Sequence, residues 1–180
     1  MNRRSLLLTL AAPLATRGAE FPRPAPKLVF KAGNQTIDLA HYRGKVVVTE
    51  FLSTQCPACQ DCARLINRLA PEYAPKGVQF LGVAINKGAE WLVDDFVKRF
   101  DLVFPVGALG EDEGRSFLQL SIMNPFLVPH VAFIDRQGNI QAQRGGEEQG
   151  FFAAKETIIR QEIAKLLTTK TSSAVSPKKK

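Results

Sequence analysis

The residues best suited to chemistry are two cysteines separated by two residues, Cys56 and Cys59. They follow a β-branched and aromatic run, residues 45–52, and stand where an amphipathic stretch begins, so we expect a strand-to-helix junction there. The first turn of a helix carries unpaired N–H groups and the positive end of the helix dipole, which stabilise a thiolate. The spacing therefore predicts a redox-active disulfide, with Cys56 as the attacking thiol and Cys59 as the more buried resolving thiol.

Two other uses of a C-x-x-C pair are weaker interpretations. Half of a zinc site is disfavoured because the sequence has no second pair and only two histidines, His41 and His130. A purely structural disulfide that closes so small a loop would stabilise little. We therefore predict neither a bound metal nor a cofactor. The third cysteine, Cys62, is predicted as a free, partly buried helix cysteine, with thiol exchange with Cys59 as the alternative.

The elements that position this pair follow an α/β order. Hydrophobic patterning predicts a hairpin around the turn Gly33-Asn34, and a parallel strand–helix–strand unit that contains the cysteines. Further helices and an antiparallel hairpin follow, so we expect a central mixed sheet with helices on both faces. The predicted helices are 57–73, 89–100, 111–120 and 150–167, and the predicted strands are 27–30, 35–39, 45–52, 78–85, 103–108, 131–135 and 139–143.

The excess positive charge of the chain lies at its two ends and does not indicate a nucleic-acid partner. The composition, 45% hydrophobic and 23% charged, excludes disordered, collagen-like and coiled-coil classes. The formal net charge is +7, but residues 20–165 hold equal numbers of basic and acidic residues. The excess lies in the arginines before residue 20 and in four lysines after residue 165, without interleaved aromatic residues. Nucleic-acid binding is therefore disfavoured.

The first 19 residues are typical of an export signal. A positive start that includes Arg3-Arg4 precedes an apolar run of 11 residues, too short to span a membrane. We expect a periplasmic or otherwise exported protein, through the Sec or twin-arginine route, that contacts the membrane only through this signal. The predicted organisation is 1–19 signal peptide, 20–26 proline-rich linker, 27–167 folded domain and 168–180 disordered basic tail.

Two stretches carry a resemblance to a known family. Residues 27–59, KLVFKAGNQTIDLAHYRGKVVVTEFLSTQCPAC, and residues 128–140, VPHVAFIDRQGNI, resemble the TlpA/ResA-like branch of the thioredoxin superfamily. Its members are exported thiol–disulfide oxidoreductases related to alkyl hydroperoxide reductases. The resemblance covers residues 25–165 and implies a thioredoxin fold, a central mixed sheet flanked by helices, with an N-terminal β-hairpin and a helical insertion. It also implies protein thiol or disulfide substrates and a redox partner protein; we expect a monomer.

The resemblance also implies roles for individual residues. Pro129 matches the family's cis proline beside the disulfide, and Val128 would offer its backbone to a substrate strand; the alternative is a proline that only begins a strand. Glu50 matches a buried acid near the resolving cysteine. Burial would raise the pKa of such a carboxyl group, so that it could accept the proton of Cys59. An outward-facing strand residue is the alternative for Glu50.

The sequence also departs from the family pattern. Ser53-Thr54-Gln55 stands where many relatives carry a tryptophan, and His130 follows the proline where relatives often have threonine. We predict that His130 contributes to substrate binding with Pro57, Ala58 and Val128, or else is an edge histidine without a role.

Two rival functions remain. Ser53-x-x-Cys56 faintly resembles a peroxiredoxin motif, although Thr49 stands where its proline is expected, so a thiol peroxidase is one alternative. A copper-binding assembly factor that uses the cysteines with His130 is the other. Neither the direction of electron flow nor the substrate follows from the sequence.

Overall fold

A computed structural model describes residues 19–169 of the chain as an α/β fold. Most of the predicted signal and most of the predicted basic tail lie outside the described residues. The strands are β1 (Arg23–Pro24), β2 (Val29–Ala32), β3 (Gln35–Asp38), β4 (Val46–Leu52), β5 (Val78–Ala84), β6 (Val106–Ala108), β7 (His130–Ile134) and β8 (Asn139–Gly145). The helices are α1 (Pro57–Tyr73), α2 (Ala89–Phe100), α3 (Glu111–Leu118), α4 (Gln149–Ala153) and α5 (Lys155–Thr168), with 3-10 turns at Leu39–Tyr42 and Ala74–Lys76.

Six strands form the central sheet, in the order β1-β8-β7-β4-β5-β6. β4, β5 and β6 run parallel, whereas β7 lies antiparallel to β4 and β8 antiparallel to β7. All seven residues of β4 are buried, because this strand is central and covered on both faces. The mixed sheet with a parallel start and an antiparallel end confirms the predicted fold class.

The two faces of the sheet have different coverings. Val48 and Leu52 of β4 contribute to the core beneath α1, α2 and α5. Val47 and Phe51 point to the other face and pack beneath the β2–β3 hairpin and α3. Alternation along β4 therefore assigns every second side chain to the α1 face. The helical segment predicted as an insertion corresponds to α2 and α3, which flank β6 between β5 and β7.

The N-terminal β2–β3 hairpin forms as predicted and packs closely against β6. β2 and β3 pair around Gly33 and Asn34, and Gly33 has a positive φ of 56°. At Gly107 in β6, a β-carbon would lie 2.0 Å from the Lys31 carbonyl oxygen, so only glycine admits the hairpin there.

Part of the predicted linker joins the sheet. Arg23 and Pro24 pair with Ile140 and Asn139 of β8, which makes β1 an edge strand. An edge is the place in a sheet that tolerates proline, because no ladder donor is needed on its outer side. The Arg23 guanidinium also donates to the Phe117 carbonyl at 2.8 Å.

The last predicted helix is broken into two. Ala154 has φ −134° and ψ 32°, outside the helical region, and separates α4 from α5. In one continuous helix, Phe151 would point about 80° away from Ile159 around the axis. Both side chains are fully buried, so the break turns Phe151 toward the core. α3 likewise ends two residues before its predicted end, because Gln119 adopts a left-handed conformation.

Candidate active site

Cys56 stands at the junction between β4 and α1. A three-residue loop follows β4, and Cys56 then forms the N-cap of α1 with extended backbone angles, φ −81° and ψ 120°. Its sulfur accepts a hydrogen bond from the Cys59 backbone N–H at 3.4 Å. Pro57 occupies the first helical position, where a missing N–H costs nothing. A half-buried sulfur is thus held at the positive end of the helix.

Cys59 lies one turn further along and is fully buried. Its sulfur accepts a hydrogen bond from the Ser53 backbone N–H at 3.4 Å. Burial raises the pKa of the Cys59 thiol, and the nearby Glu50 carboxyl raises it further. The three cysteines are all free thiols in this structure. Cys59 therefore needs a proton acceptor before it can act as a nucleophile.

The loop before Cys56 is tied to the end of β5. The Thr54 backbone N–H donates to Asn86 Oδ1 at 2.9 Å, and the Gln60 side chain donates to the Thr54 carbonyl at 3.1 Å. The Cys56 N–H donates to the Ser53 carbonyl at 3.1 Å. Asn86 is a positioning residue that sequence reasoning missed, because no local pattern links it to the cysteines.

Val128 and Pro129 approach Cys56 from the other side. The Val128–Pro129 peptide is cis, and the Cys56 thiol donates to the Val128 carbonyl oxygen at 3.8 Å. The Pro129 carbonyl accepts from the Gly146 N–H at 3.2 Å. Pro57 is exposed and Ala58 half-buried at the surface beside Cys56, whereas Pro129 is buried. The structure thus brings Pro57, Ala58, Val128 and Pro129 around the Cys56 sulfur.

Glu50 is a fully buried acid in the middle of β4. It pairs with Gly82 of β5 and Val131 of β7, so its side chain points to the α1 face. Within residues 19–169, neither carboxyl oxygen forms a hydrogen bond of ordinary geometry. Burial raises the pKa of Glu50 to about 8, although the Cys62 thiol and the charge of Lys155 act to lower it. A carboxyl group with such a pKa can both accept and release a proton near neutrality.

Cys62 is buried on the same face of α1 as Cys59. Burial raises the pKa of its thiol well above the usual range, and the adjacent Glu50 carboxyl raises it further. The sequence spacing predicted Cys62 one helical turn after Cys59, but it did not indicate that Cys62 lies beside Glu50. Lys155, at the start of α5, acts on both groups and was also missed, because it is distant in sequence and carries no motif.

His130 lies away from the thiols. Its ring packs edge-on against Phe126, with centroids 6.5 Å apart, and interacts with the Gln143 side chain. Ala132 and Ile134, which share its side of β7, belong to the core beneath the hairpin and α3. Burial lowers the pKa of His130, while Gln143 and Glu148 act to raise it. His130 therefore lies on the opposite face of the sheet from Cys59. Within residues 19–169, it does not form with the cysteines the group of ligands that a copper site would require.

The loop that leads into Val128 presents an apolar surface. Ile122 and Met123 are each 84% exposed. The loop is nevertheless ordered by Arg115, which donates to the Ser121 and Asn124 carbonyls at 3.0 and 2.9 Å. Among residues 19–169, no group of three or more potential ligand side chains could hold a metal ion. In the same range, no helix is long and apolar enough to span a membrane.

Comparison with known sequences identifies relatives over most of the chain. A model of the Redoxin family matches residues 18–159. The thiol-disulfide oxidoreductase ResA of Bacillus thuringiensis subsp. konkukian (strain 97-27) is 29% identical over 130 residues, which cover 72% of each chain. ResA of Geobacillus kaustophilus (strain HTA426) is 34% identical over 104 residues, 57% of this chain and 56% of the relative.

Solved structures show the same fold. A thiol:disulfide interchange protein of the thioredoxin family from Chlorobium tepidum TLS is 22% identical, with a TM-score of 0.65, and the alignment covers 81% of this chain and 99% of the other. A DsbF homologue from Corynebacterium diphtheriae is 17% identical, with a TM-score of 0.66 and coverage of 81% and 88%. The resemblance and the thioredoxin fold predicted from the sequence are confirmed.

Proposed function

Because the chain belongs to the Redoxin family and is a thiol–disulfide oxidoreductase, we propose that it exchanges a Cys56–Cys59 dithiol or disulfide with protein substrates outside the cytoplasm. The observation that carries this proposal is the placement of the two sulfurs. Cys56 is half-buried at the helix start and accepts the Cys59 N–H, while Cys59 is enclosed directly behind it. An external thiol or disulfide can therefore reach only the Cys56 sulfur.

The exchange runs through a mixed disulfide. In the reducing direction, the Cys56 thiolate attacks one sulfur of a substrate disulfide, and the other substrate sulfur leaves as a thiolate. The Cys59 thiolate then attacks the Cys56 sulfur, and the second substrate sulfur leaves. The substrate gains two electrons, and the enzyme is left with a Cys56–Cys59 disulfide; the oxidising direction is the reverse. The Cys59 N–H supports the negative charge on Cys56 in the reduced protein, which begins the reducing exchange and is the product of the oxidising one.

Glu50 is the group that we assign to proton transfer at Cys59. The pKa of the Cys59 thiol is raised by burial, so the thiol does not ionise alone near neutral pH. The Glu50 carboxyl is buried on the same face and its pKa, about 8, lies close to the working range. It takes the Cys59 proton during closure of the disulfide and returns it during opening.

Substrate binding is assigned to the surface around Cys56. The Val128 carbonyl oxygen lies 3.8 Å from the Cys56 sulfur, and the adjacent Pro129 is buried. An extended substrate segment that lies along the Val128 backbone would place its disulfide over the Cys56 sulfur. Pro57 and Ala58, which lie beside Cys56 at the surface, would contact the same segment. His130 is not included in this surface, because its ring packs on the other face of the sheet.

Export and partners belong to the same proposal. The apolar run and arginines within residues 1–19 support export to a compartment where disulfides persist. A redox partner protein must then restore the Cys56–Cys59 pair after each turnover, because each exchange changes its oxidation state. We propose that the protein acts as a monomer.

The test is a redox titration of the purified protein in thiol–disulfide buffers, with the thiols counted by alkylation and mass spectrometry. We expect one two-electron transition whose product is a Cys56–Cys59 linked peptide, absent from Cys56→Ser and from Cys59→Ser. Cys59→Ser should also accumulate mixed disulfides with substrate proteins. If the two cysteines form no disulfide at any potential, the proposal is wrong. Peroxide consumption that depends on Cys56 but not on Cys59 would favour the peroxidase alternative.

A further inference from the structure

Behind Cys59, the buried thiol of Cys62 lies next to the Glu50 carboxyl group, which has no hydrogen-bond partner of ordinary geometry among the described residues. Both oxygens of Glu50 are completely enclosed, and neither forms a well-shaped hydrogen bond in the part of the chain that the structure describes. A buried carboxyl group in that condition is costly unless a donor approaches it. Cys62, also completely buried, faces Glu50 closely enough for the two groups to perturb each other.

The groups that face Glu50 come from two of the elements packed on it. α1 contributes Cys59 and Cys62, and α5 contributes the charge of Lys155. The paired residues on the neighbouring strands, Gly82 and Val131, carry no titratable or charged group. Cys62 is thus the group among these that is placed to donate a hydrogen bond to the carboxylate without being consumed in the exchange.

Cys62 is a donor rather than a nucleophile. Burial and the Glu50 carboxyl both disfavour its thiolate, so the thiol keeps its proton. A protonated thiol does not attack a disulfide. The same retained proton is what a hydrogen bond to the carboxylate requires.

We propose that Cys62 is a positioning residue of the resolving step: its thiol donates to the Glu50 carboxylate and holds that carboxylate ready to take the proton of Cys59. The inference rests on the proposed function, because it assigns Cys62 a part in the closure of the Cys56–Cys59 disulfide.

The step conserves atoms and electrons. The Cys59 proton moves to a Glu50 oxygen, and the electron pair left on the Cys59 sulfur forms the bond to the Cys56 sulfur. The bond between Cys56 and the substrate sulfur breaks, and the substrate leaves as a thiolate with that electron pair. Cys62 keeps its proton throughout. Without the Cys62 donor, the carboxylate is less stable, so the proton transfer requires a higher pH.

The experiment follows the reaction of the reduced protein with an aromatic disulfide that releases a coloured thiolate. A concentration-dependent phase reports attack by Cys56, and a concentration-independent phase reports displacement by Cys59, which Cys59→Ser identifies by its loss. The rate of the second phase is measured between about pH 6 and pH 10. We expect Cys62→Ala to move the midpoint of this profile up by about one pH unit, a tenfold slower rate at fixed lower pH. Cys62→Ser, which retains a donor, should stay near the wild-type midpoint.

The outcomes separate the two proposals. If the wild-type protein lacks the second phase, the proposed function fails. If that phase is present and Cys62→Ala has the wild-type midpoint, only the role of Cys62 is overturned. Equal shifts in Cys62→Ala and Cys62→Ser would also overturn it, because packing rather than donation would be responsible.

A spectroscopic measurement keeps the inference testable if Cys62→Ala does not fold. The infrared S–H stretching band of Cys62 is assigned by its loss in Cys62→Ser. We expect this band to move to lower frequency as Glu50 ionises in the wild-type protein and to stay unchanged with pH in Glu50→Gln. If the frequency of this band does not change with pH in either the wild-type protein or Glu50→Gln, the proposal is contradicted.

Discussion

Replacement of Glu50 by glutamine should change how the stability of the reduced protein depends on pH. Glutamine keeps the shape of the side chain but cannot ionise, so it reports the free energy of ionising a carboxyl group in this enclosed position. Burial raises the pKa of Glu50 from 4.5 to about 8. In the unfolded chain the carboxyl ionises near the lower value, whereas in the folded protein it holds its proton up to the higher one.

The sign and size follow from proton linkage. Between these two pKa values the folded state binds more protons than the unfolded state, so stability falls as pH rises through that interval. The stability contribution is complete below the unfolded pKa and lost by the folded pKa. At about 1.4 kcal/mol per pH unit, the full interval corresponds to at most about 5 kcal/mol. Glu50→Gln should lack this loss and be the more stable protein at the alkaline end.

The assay is urea unfolding of both reduced proteins at intervals from about pH 5 to pH 8, below the range in which cysteines of the unfolded chain ionise. The difference in unfolding free energy between variant and wild type should grow steadily with pH. Two profiles that remain parallel would refute the reasoning, because the Glu50 carboxyl would then ionise as it does in water. A control variant at the exposed Glu90 should leave the wild-type profile unchanged.

Two further substitutions test the frame around the site. Asn86→Ala removes the acceptor of the Thr54 N–H and should lower the unfolding free energy, measured by urea unfolding, by about 1 to 2 kcal/mol. Lys87→Ala, at the exposed next position, is the control and should have little effect. Equal losses of unfolding free energy in the two variants would contradict the role of Asn86. Gly107→Ala places a β-carbon 2.0 Å from the Lys31 carbonyl oxygen and should lower the unfolding free energy by about 3 kcal/mol in the same measurement. Gly150→Ala, whose β-carbon would meet nothing within 4 Å, is the control. A Gly107→Ala protein as stable as that control would show that the hairpin shifts freely.

The unit of β4, its loop and α1 was predictable because its signals are local. The apolar run marks the strand, Pro57 suits the first turn of the helix, and the spacing of Cys56 and Cys59 sets both sulfurs at the helix start. The buried position of Glu50 was implied by the family resemblance, because an acid within an apolar strand could also have faced outward. These features depend on residues that are neighbours in sequence.

The remaining features depend on packing between distant segments. Lys155 reaches the electrostatic environment of Glu50 only because α5 packs against β4, and the break at Ala154 that positions α5 has no proline or glycine to mark it. His130 could be placed beside the family proline by motif alone, but its face depends on the register of β7 against β4. A shift of one residue in that register would have turned it toward the thiols.

The pairing of β1 with β8 has a consequence for how the chain completes its fold. Arg23 and Pro24, near the beginning of the described chain, pair with Ile140 and Asn139 of β8, which follow only after six further strands and three α-helices. A contact between segments so distant in sequence depends on the order of the residues between them, so this edge of the sheet closes late in folding. The same two residues also occupy the outer side of β8 at Asn139 and Ile140. Since proline offers no N–H to a further strand, this rim of the sheet is poorly suited to pairing with another molecule.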